Sequence, residues 1–245
     1  FAAESFVDRS ISDANPFLVS NIRGAFTILD IITKQKKRMI QISTDEVFGS
    51  LSSDTATEES KLNPSSPYAA TKAAAELLIN SYCVTYGSDV IITRCTNNYG
   101  PRQFPEKLIP KTIILAKQEQ KIPIYGEGKN IRDWIHVDDH CNGILSLLLD
   151  GKSGQSYNIS GNNEVDNITI VKRILNIMEK SEDLIEYVED RPGHDFRYSM
   201  SSNKIAKELG WKSKISFEEG IESTVEWYLN HEEFWKDISP KILDS

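Results

Sequence analysis

Two short apolar segments that alternate with helical patterns constrain the fold of this chain most. Residues 39–43 read MIQIS and residues 89–95 read DVIITRC, and short apolar runs of this kind are typical of strands buried on both faces. Helical periodicity covers residues 13–37, and a second helix is expected from 67 to about 86. Helix, strand, helix and strand in this order predict an α/β fold with a Rossmann-like, doubly wound parallel sheet.

The second half of the chain is divided by prolines into shorter elements. The pattern predicts strands at 122–126, 132–137, 155–160 and 184–189, and helices at 138–149, 167–180, 202–210 and 217–230. We therefore expect two intermixed lobes. Residues 1–98 would belong to the Rossmann-like lobe and residues 99–245 mainly to a smaller α/β lobe, with segments at about 130–160 returning to the first.

Charge and cysteine content exclude several classes of protein. The 245-residue chain has a net charge of -8, which argues against non-specific nucleic-acid binding because that needs a basic face. Its three cysteines are widely spaced and form no CxxC pattern, so neither a disulfide framework nor a zinc site is expected. No apolar run approaches membrane length. We expect a cytoplasmic protein with no membrane partner and no metal.

The stretch ISTDEVFG, residues 42–49, ends an apolar strand on two adjacent acids. Two carboxyl groups whose environments separate their pKa values can act as an acid and a base in one reaction. The simpler interpretation is a strand end in water. A chemical role is favoured if other reactive groups follow nearby.

Tyr68 and Lys72 form a Y-x-x-x-K pattern at the start of the second helix. Residues four apart lie on one face of a helix, and an ammonium group near a phenol lowers the pKa of that phenol. Tyr68 would then be a usable base near neutral pH. The pattern alone is weak, because an exposed helix face would carry the same letters.

Seven stretches together resemble one enzyme family. They are AAESFVDRSI, ISTDEVFG, PSSPYAATKAAAELL, TRCTNNYGPRQFPEKLIP, IPIYGEGKNIRDWIHVDDH, YNISGNNEVDN and DRPGHDFRY, and they run from residue 2 to about 198. The arrangement resembles extended short-chain dehydrogenases that act on nucleotide sugars, and most closely the dTDP-glucose 4,6-dehydratases.

The resemblance implies an NAD-dependent reaction on dTDP-glucose or a related nucleotide sugar. The sugar is oxidised at C4, water is lost across C5 and C6, and the product is a 4-keto-6-deoxy sugar nucleotide. By similarity, Tyr68 and Lys72 serve the oxidation, Glu46 is the base at C5, and Asp45 is the acid that protonates the leaving hydroxyl. Thr44 would hydrogen-bond the C4 oxygen.

The resemblance also assigns binding residues. Those expected to contact NAD are Ala2, Ala3, Glu4, Ser5, Ser20, Tyr68, Lys72 and Asn98. Those expected to contact the nucleotide sugar are Ser5, Thr44, Asn97, Lys107, Leu108, Pro123, Tyr125, Arg132, Asn167, Arg191 and His194. His136 and His140 have no metal-like partner in the sequence and are most simply structural.

The sequence departs from the family pattern in three places. Phe6 stands where the family commonly has His, and Phe48 where Tyr is usual. Members of the family begin with a strand and a G-x-x-G-x-x-G turn that binds the NAD pyrophosphate, and no such turn occurs here. We therefore expect a longer parent protein, and expect the isolated 245 residues to be poorly soluble and inactive because apolar faces would be bare.

Three alternatives remain open at this point. A related nucleotide-sugar epimerase or decarboxylase, for example on UDP-sugars, would share the fold, although the Asp45–Glu46 pair speaks against both. A binding module that has lost NAD would explain the missing turn.

The resemblance further implies a homodimer through helices at 15–35 and 67–86, and the apolar stretch AAAELLINSYCVTY supports this.

Overall fold

The computed structural model describes residues 1–238. The α-helices are α1 (Val7–Ser12), α2 (Asn15–Phe17), α3 (Ala25–Gln35), α4 (Pro67–Tyr86), α5 (Leu108–Lys117), α6 (Val137–Asp150), α7 (Asn167–Ile177), α8 (Asn203–Leu209) and α9 (Phe217–Asn230). The strands are β1 (Met39–Thr44), β2 (Val90–Cys95), β3 (Asn97–Tyr99), β4 (Ile122–Tyr125), β5 (Ile131–His136), β6 (Ser156–Ile159), β7 (Glu164–Asp166) and β8 (Ile185–Val188). A π-helix spans Leu18–Gly24, and 3-10 helices span Asp45–Phe48, Glu182–Leu184 and Glu232–Phe234.

Internal contacts divide the chain into two compact units. Among the described residues, the first contains 1–96, 140–160 and 192–212, and the second contains 97–139, 161–191 and 213–238. The chain therefore passes between the units several times. The assignment of an NAD-binding and a nucleotide-sugar-binding lobe to parts of the chain stays a prediction.

The first unit is built on a parallel sheet with the strand order β1-β2-β6. Met39 pairs with Val90 and Thr44 with Cys95, so β1 and β2 end at the same edge. Leu29 of α3 and Ile79 of α4 pack with Val90 and Ile92 of β2 in one apolar cluster. The predicted parallel α/β sheet is confirmed. Strand β2 is buried over almost its whole length, which explains why its sequence lacks polar alternation, whereas the first four residues of β1 are only half-buried.

Helix α4 begins and ends at residues suited to those positions. The Ser66 hydroxyl accepts a hydrogen bond from the Ala69 amide at 3.1 Å, and Pro67 occupies the first turn, where its missing N–H costs nothing. Gly87 ends the helix in the left-handed conformation. This start places Tyr68 and Lys72 in the first two turns.

The second unit has two small sheets, β3-β5-β7 and β4-β8. Helices α5, α7 and α9 contribute Ile113, Ile174 and Ile221 to its apolar core. Strands β3 and β5 are parallel, and β7 is antiparallel to β5. Among residues 1–238 no helix is long and apolar enough to cross a membrane.

Some elements differ from the sequence-based expectation. Residues 15–35 are helical as predicted but are not one α-helix, because the π-helix interrupts them. Helix α1 and the three-residue strands β3 and β7 were not predicted. Residues 97–99, the first three of NNYG, form β3, which pairs with β5.

Candidate active site

The acidic pair lies in a buried turn at the end of β1. The Thr44 hydroxyl accepts a hydrogen bond from the Glu46 amide at 3.3 Å and donates one to Asp45 Oδ1 at 3.2 Å. Asp45 is only 3% exposed, and Glu46 is half-buried. The simple interpretation of a strand end in water is therefore wrong for Asp45. Removing a carboxyl group from water to this extent is costly unless the group is hydrogen-bonded.

Gly49 makes this turn possible. Its φ is +71°, and a Cβ at this position would lie 2.2 Å from the Asn63 carbonyl oxygen. The Asn63 amide in turn donates to the Val47 carbonyl at 2.9 Å. The loop around Asn63 thus packs against the turn so closely that only glycine fits.

Tyr68 and Lys72 are buried on the same helix face. They are 8% and 6% exposed, which excludes the exposed helix face considered from the sequence. The Lys72 ammonium donates to the Ile42 carbonyl of β1 at 2.5 Å. The Thr44 side chain lies close enough to the Tyr68 phenol to lower its pKa. Both side chains of α4 therefore reach the end of β1, beside the acidic turn.

The electrostatics of Tyr68 differ from the sequence-based expectation. Burial raises the pKa of its phenol well above the usual range, and the Glu46, Cys95 and Asp45 side chains raise it further. The Thr44 side chain acts in the opposite direction. The prediction that Lys72 lowers this pKa is wrong for this structure, because desolvation and nearby acids dominate.

Lys72 is itself perturbed. Burial lowers the pKa of its ammonium group, while Cys95 and Glu76 oppose that shift. The charged form is held by the Ile42 carbonyl described above. A lysine in this setting supplies hydrogen-bond donors at a fixed place.

Asn21 fixes the first residues of the chain in the same unit. Its side chain accepts from the Glu4 amide and donates to the Glu4 carbonyl, both at 3.0 Å, and it also donates to the Thr71 hydroxyl at 3.0 Å. Thr71 donates to the Tyr68 carbonyl at 2.7 Å. The segment of residues 2–5 is thereby linked to α4 one residue from Lys72. Ser20 precedes Asn21 in the π-helix and is half-buried.

Asn21 was not identified as a functional residue from the sequence. It occupied one of the periodic inward positions of the predicted helix, among apolar residues. A buried asparagine on such a face requires hydrogen-bond partners. The need for such partners was the signal by which Asn21 could have been identified from the sequence.

The remaining predicted residues lie mostly in the second unit. Asn97 and Asn98 are in β3, opposite Trp134 and Ile135 of β5. Lys107 immediately precedes α5, and Leu108 is its first residue.

The predicted nucleotide contacts of the second unit are partly brought together. The Arg191 guanidinium lies 5.9 Å from the centre of the Tyr125 ring in β4, which also contains Pro123. Arg132 is buried in β5, and its Nη1 donates to the Ile131 carbonyl at 2.7 Å. Asn167 begins α7, and its amide donates to the Asn130 carbonyl at 3.1 Å.

His194 belongs to the first unit, whereas Arg191 belongs to the second. Its neighbour Asp195 accepts hydrogen bonds from the Ser65 hydroxyl and, at 2.6 Å, from the Tyr198 hydroxyl. These bonds hold this segment beside the start of α4. The motif DRPGHD therefore crosses from one unit to the other.

The two histidines set aside from the sequence are buried. Burial lowers the pKa of His140 to about 4 and also lowers that of His136, where Asp138 and Asp139 oppose the shift. In residues 1–238 no group of three or more His, Cys, Asp or Glu side chains is arranged to hold a metal ion.

Comparison with known proteins identifies the family. The profile described as GDP-mannose 4,6 dehydratase matches residues 1–224. A dTDP-glucose 4,6-dehydratase of Streptomyces griseus is 45% identical over 240 residues, covering 98% of this chain and 73% of that protein. The low-salt glycan biosynthesis protein Agl12 of Haloferax volcanii is 47% identical over 234 residues, covering 95% and 75%.

A solved structure agrees with these relatives. The dTDP-glucose 4,6-dehydratase DesIV of Streptomyces venezuelae, determined with NAD and the ligand TYD (dTDP) bound, superposes with a TM-score of 0.96 at 44% identity, covering 98% of this chain and 74% of that one. The chain therefore belongs to the GDP-mannose 4,6-dehydratase family of nucleotide-sugar enzymes, alongside the dTDP-glucose 4,6-dehydratases.

Proposed function

We propose that this protein is a dTDP-glucose 4,6-dehydratase, a hydro-lyase that converts dTDP-glucose to dTDP-4-keto-6-deoxyglucose with NAD. The observation that carries the proposal is the buried turn of Asp45 and Glu46, where the Thr44 hydroxyl bonds Asp45 and lies beside the Tyr68 phenol. An oxidation alone needs only the tyrosine and lysine. The acidic pair supplies the acid and base that the loss of water requires.

The residues present fit NAD as the cofactor. The donor set combines a buried ammonium at Lys72, a phenol at Tyr68 and a backbone segment at residues 2–5 that Asn21 holds in place. When bound, NAD would accept a hydride from C4 and return it to C6 after water is lost, so that the ketone at C4 remains in the product. Ser20 and Asn98 are the further residues proposed to contact NAD.

The chain's own groups then divide the proton transfers. The positive charge of bound NAD would act against the raised pKa of Tyr68 and favour the phenolate, which takes the proton of the C4 hydroxyl. The Thr44 hydroxyl has a single proton and would turn from Asp45 to donate to the C4 oxygen. Because a ketone at C4 acidifies the C5 hydrogen, Glu46 can remove that proton. Asp45 protonates the departing C6 hydroxyl, and its deeper burial suits a carboxyl group that carries a proton.

The nucleotide is proposed to bind through the second unit. Arg191 and Tyr125 lie together there, as a cation and an aromatic ring suited to a diphosphate and a base. Lys107, Leu108, Asn97, Pro123, Arg132 and Asn167 are the further proposed contacts of this unit. Ser5 and His194 are also proposed to contact the nucleotide sugar.

A homodimer through α2, α3 and α4 is also proposed. These helices and the π-helix expose Val19, Ile28 and Ile31 on one segment and Leu77 and Val84 on the other, each between 47% and 89% exposed. Large exposed apolar side chains on neighbouring helices favour association with a second copy. Light scattering of the protein and of an Ile28→Glu/Leu77→Glu variant tests this, since the variant is expected to be monomeric. We also propose that the protein is cytoplasmic.

Mass spectrometry of reactions of the full-length protein tests the function. With dTDP-glucose and NAD we expect a product lighter by one water, and a slower or absent reaction with UDP-glucose. Substrate recovered with unchanged mass but altered configuration would indicate an epimerase. Loss of carbon dioxide from a uronic acid substrate would indicate a decarboxylase, and binding without reaction would indicate a binding module.

A further inference from the structure

Arg94 of β2 and Glu76 of α4 form a buried ion pair in the first unit. Their side chains are 5% and 0% exposed. Arg94 Nη2 lies 2.7 Å from Glu76 Oε2, and Arg94 Nε lies 3.1–3.2 Å from both carboxylate oxygens. This fork geometry fixes both side chains in direction as well as in distance. The pair therefore joins the strand to the helix at a defined angle.

The same guanidinium contacts the acidic turn. Its Cζ lies 4.9 Å from the centre of the Phe48 ring, and Phe48 is the last residue of the 3-10 helix that begins with Asp45. The ring is 4% exposed and packs in a cluster with Ala73 of α4. Arg94 thus lies against the turn through an aromatic face, a contact that is stronger when desolvated.

Arg94 makes one more contact, with the loop that follows the turn. Its Nη1 donates to the Glu58 carbonyl at 3.3 Å, and the Glu58 carboxylate accepts from the Asn158 amide of β6 at 2.9 Å. The guanidinium is therefore held on three sides. It connects α4, the acidic turn and the loop at Glu58, which is itself bonded to β6.

The position of Glu76 on α4 gives this connection its relevance. Glu76 follows Lys72 by four residues and Tyr68 by eight, so all three lie on one helix face at intervals of about one turn. Phe48 follows Glu46 by two residues. A single side chain therefore contacts the helix that carries one set of reactive groups and the turn that carries the other.

We propose that Arg94 is a positioning residue, which holds the Asp45–Glu46 turn against α4 through the Phe48 ring on one side and the Glu76 carboxylate on the other. The inference rests on the proposed function. It explains why the departure to phenylalanine at position 48 is compatible with dehydration, since the ring and not a hydroxyl group makes the contact. Arg94 acts through its neighbours and touches no reacting atom.

The competing interpretation is an ion pair that only stabilises the fold. If the pair only stabilised the fold, its removal would reduce stability and would lower the rates of C4 oxidation and dehydration by the same factor. A positioning role predicts a selective loss, because a displaced acid or base slows the elimination more than the oxidation. The test therefore measures C4 oxidation, dehydration and stability separately.

Four variants of the full-length protein serve this test. Arg94→Met/Glu76→Met removes the pair without leaving a lone buried charge. Phe48→Leu removes the ring and keeps the pair, and Phe48→Tyr keeps both. Arg38→Met is the matched control, since Arg38 pairs with Asp89 in the same unit but is partly exposed, with side chains 31% and 39% exposed.

We expect dehydration to fall about 10- to 100-fold in Arg94→Met/Glu76→Met and in Phe48→Leu, with C4 oxidation changed less than about threefold. Phe48→Tyr and Arg38→Met are expected to match the unmodified protein. The proposal would be overturned if both reactions slowed by the same factor. It would also be overturned if the rate of dehydration were unchanged in Arg94→Met/Glu76→Met or in Phe48→Leu. Inactivity of the unmodified protein would instead refute the proposed function.

Stability supplies a readout that needs no activity. A double-mutant cycle that takes Phe48→Leu as one change and Arg94→Met/Glu76→Met as the other, followed by urea unfolding, measures the contact without leaving a lone buried charge. We expect the combined variant to lose less stability than the sum of the two separate losses. Strict additivity would show that Arg94 and the turn are not coupled and would overturn the proposal.

Discussion

The Asn21 side chain bonds both the amide and the carbonyl of Glu4 at 3.0 Å, across 17 residues of sequence. A side chain that replaces a strand partner in this way fixes a loop that has no regular structure of its own. Residues 2–5 are therefore held in one conformation next to α4. This conformation is the one proposed to receive the cofactor.

Replacement of Asn21 by alanine is expected to weaken NAD binding. The change removes three hydrogen bonds of a buried side chain, and leaving the Glu4 groups unsatisfied costs about 1–3 kcal/mol. Titration calorimetry should show a dissociation constant for NAD raised by about 10- to 100-fold. Asn142→Ala on the exposed face of α6 is the matched control, and equal weakening in both variants would contradict the interpretation.

Asp45→Asn and Glu46→Gln are expected to separate the two halves of the reaction. Both changes keep the shape of the side chain and remove its ability to transfer a proton. C4 oxidation should persist while dehydration falls about 100- to 10,000-fold. Rapid-quench analysis of the products measures both. Equal loss of oxidation and dehydration would mean that the pair is structural.

Gly49→Ala is expected to destabilise the protein. A Cβ at Gly49 would lie 2.2 Å from the Asn63 oxygen at a φ of +71°, so the turn must shift, at a cost of about 1–3 kcal/mol. Gly87 has a φ of +64° with no atom within 4 Å of the added Cβ, which makes Gly87→Ala the matched control. Urea unfolding should show the larger loss for Gly49→Ala, and equal losses would mean that the close approach to Asn63 is unimportant.

His140 is expected to make the fold sensitive to acid. Burial lowers the pKa of His140 to about 4, and its Nε2 atom is buried without a hydrogen-bond partner. The unfolded chain binds this proton near pH 6.5, so the contribution to stability is complete above that pH. It is lost as the pH falls towards 4, by about 3 kcal/mol in total. His140→Leu should therefore reduce the pH dependence of unfolding between pH 6.5 and 4.

His231→Gln provides the comparison for that experiment. It removes a histidine elsewhere in the protein, so a change in pH dependence common to both variants would not be specific to His140. If His140→Leu retained the full acid-induced loss, other groups would have to account for it.

Much of the fold was predictable because the decisive patterns are local. The apolar strands β1 and β2 and the Ser66–Pro67 start of α4 carry their signals within a few residues. The strands β3 and β7 have three residues each and exist only through pairing with β5. Helix α1 has no capping side chain at its start. Short elements that depend on tertiary partners leave little trace in sequence.

The site shows the same division. The residues Thr44, Asp45, Glu46, Tyr68 and Lys72 belong to two contiguous motifs and were identified from them. Asn21, Glu76 and Arg94 act through partners 17 to 50 residues away, as with Asn21 and Thr71 or Arg94 and Glu76. No spacing rule links such residues. The direction of the Tyr68 pKa was likewise unpredictable, because it depends on burial.

The π-helix at residues 18–24 makes the length of this segment as important as its composition. One residue added to or removed from a helix rotates everything before it by about 100°, and Asn21 lies at the centre of this stretch. A deletion of one residue here would turn the N-terminal side of the helix away from α4 even if every remaining letter were kept. Related proteins that tolerate many substitutions between residues 18 and 24 should therefore keep the number of residues constant, and gaps in an alignment should fall outside it.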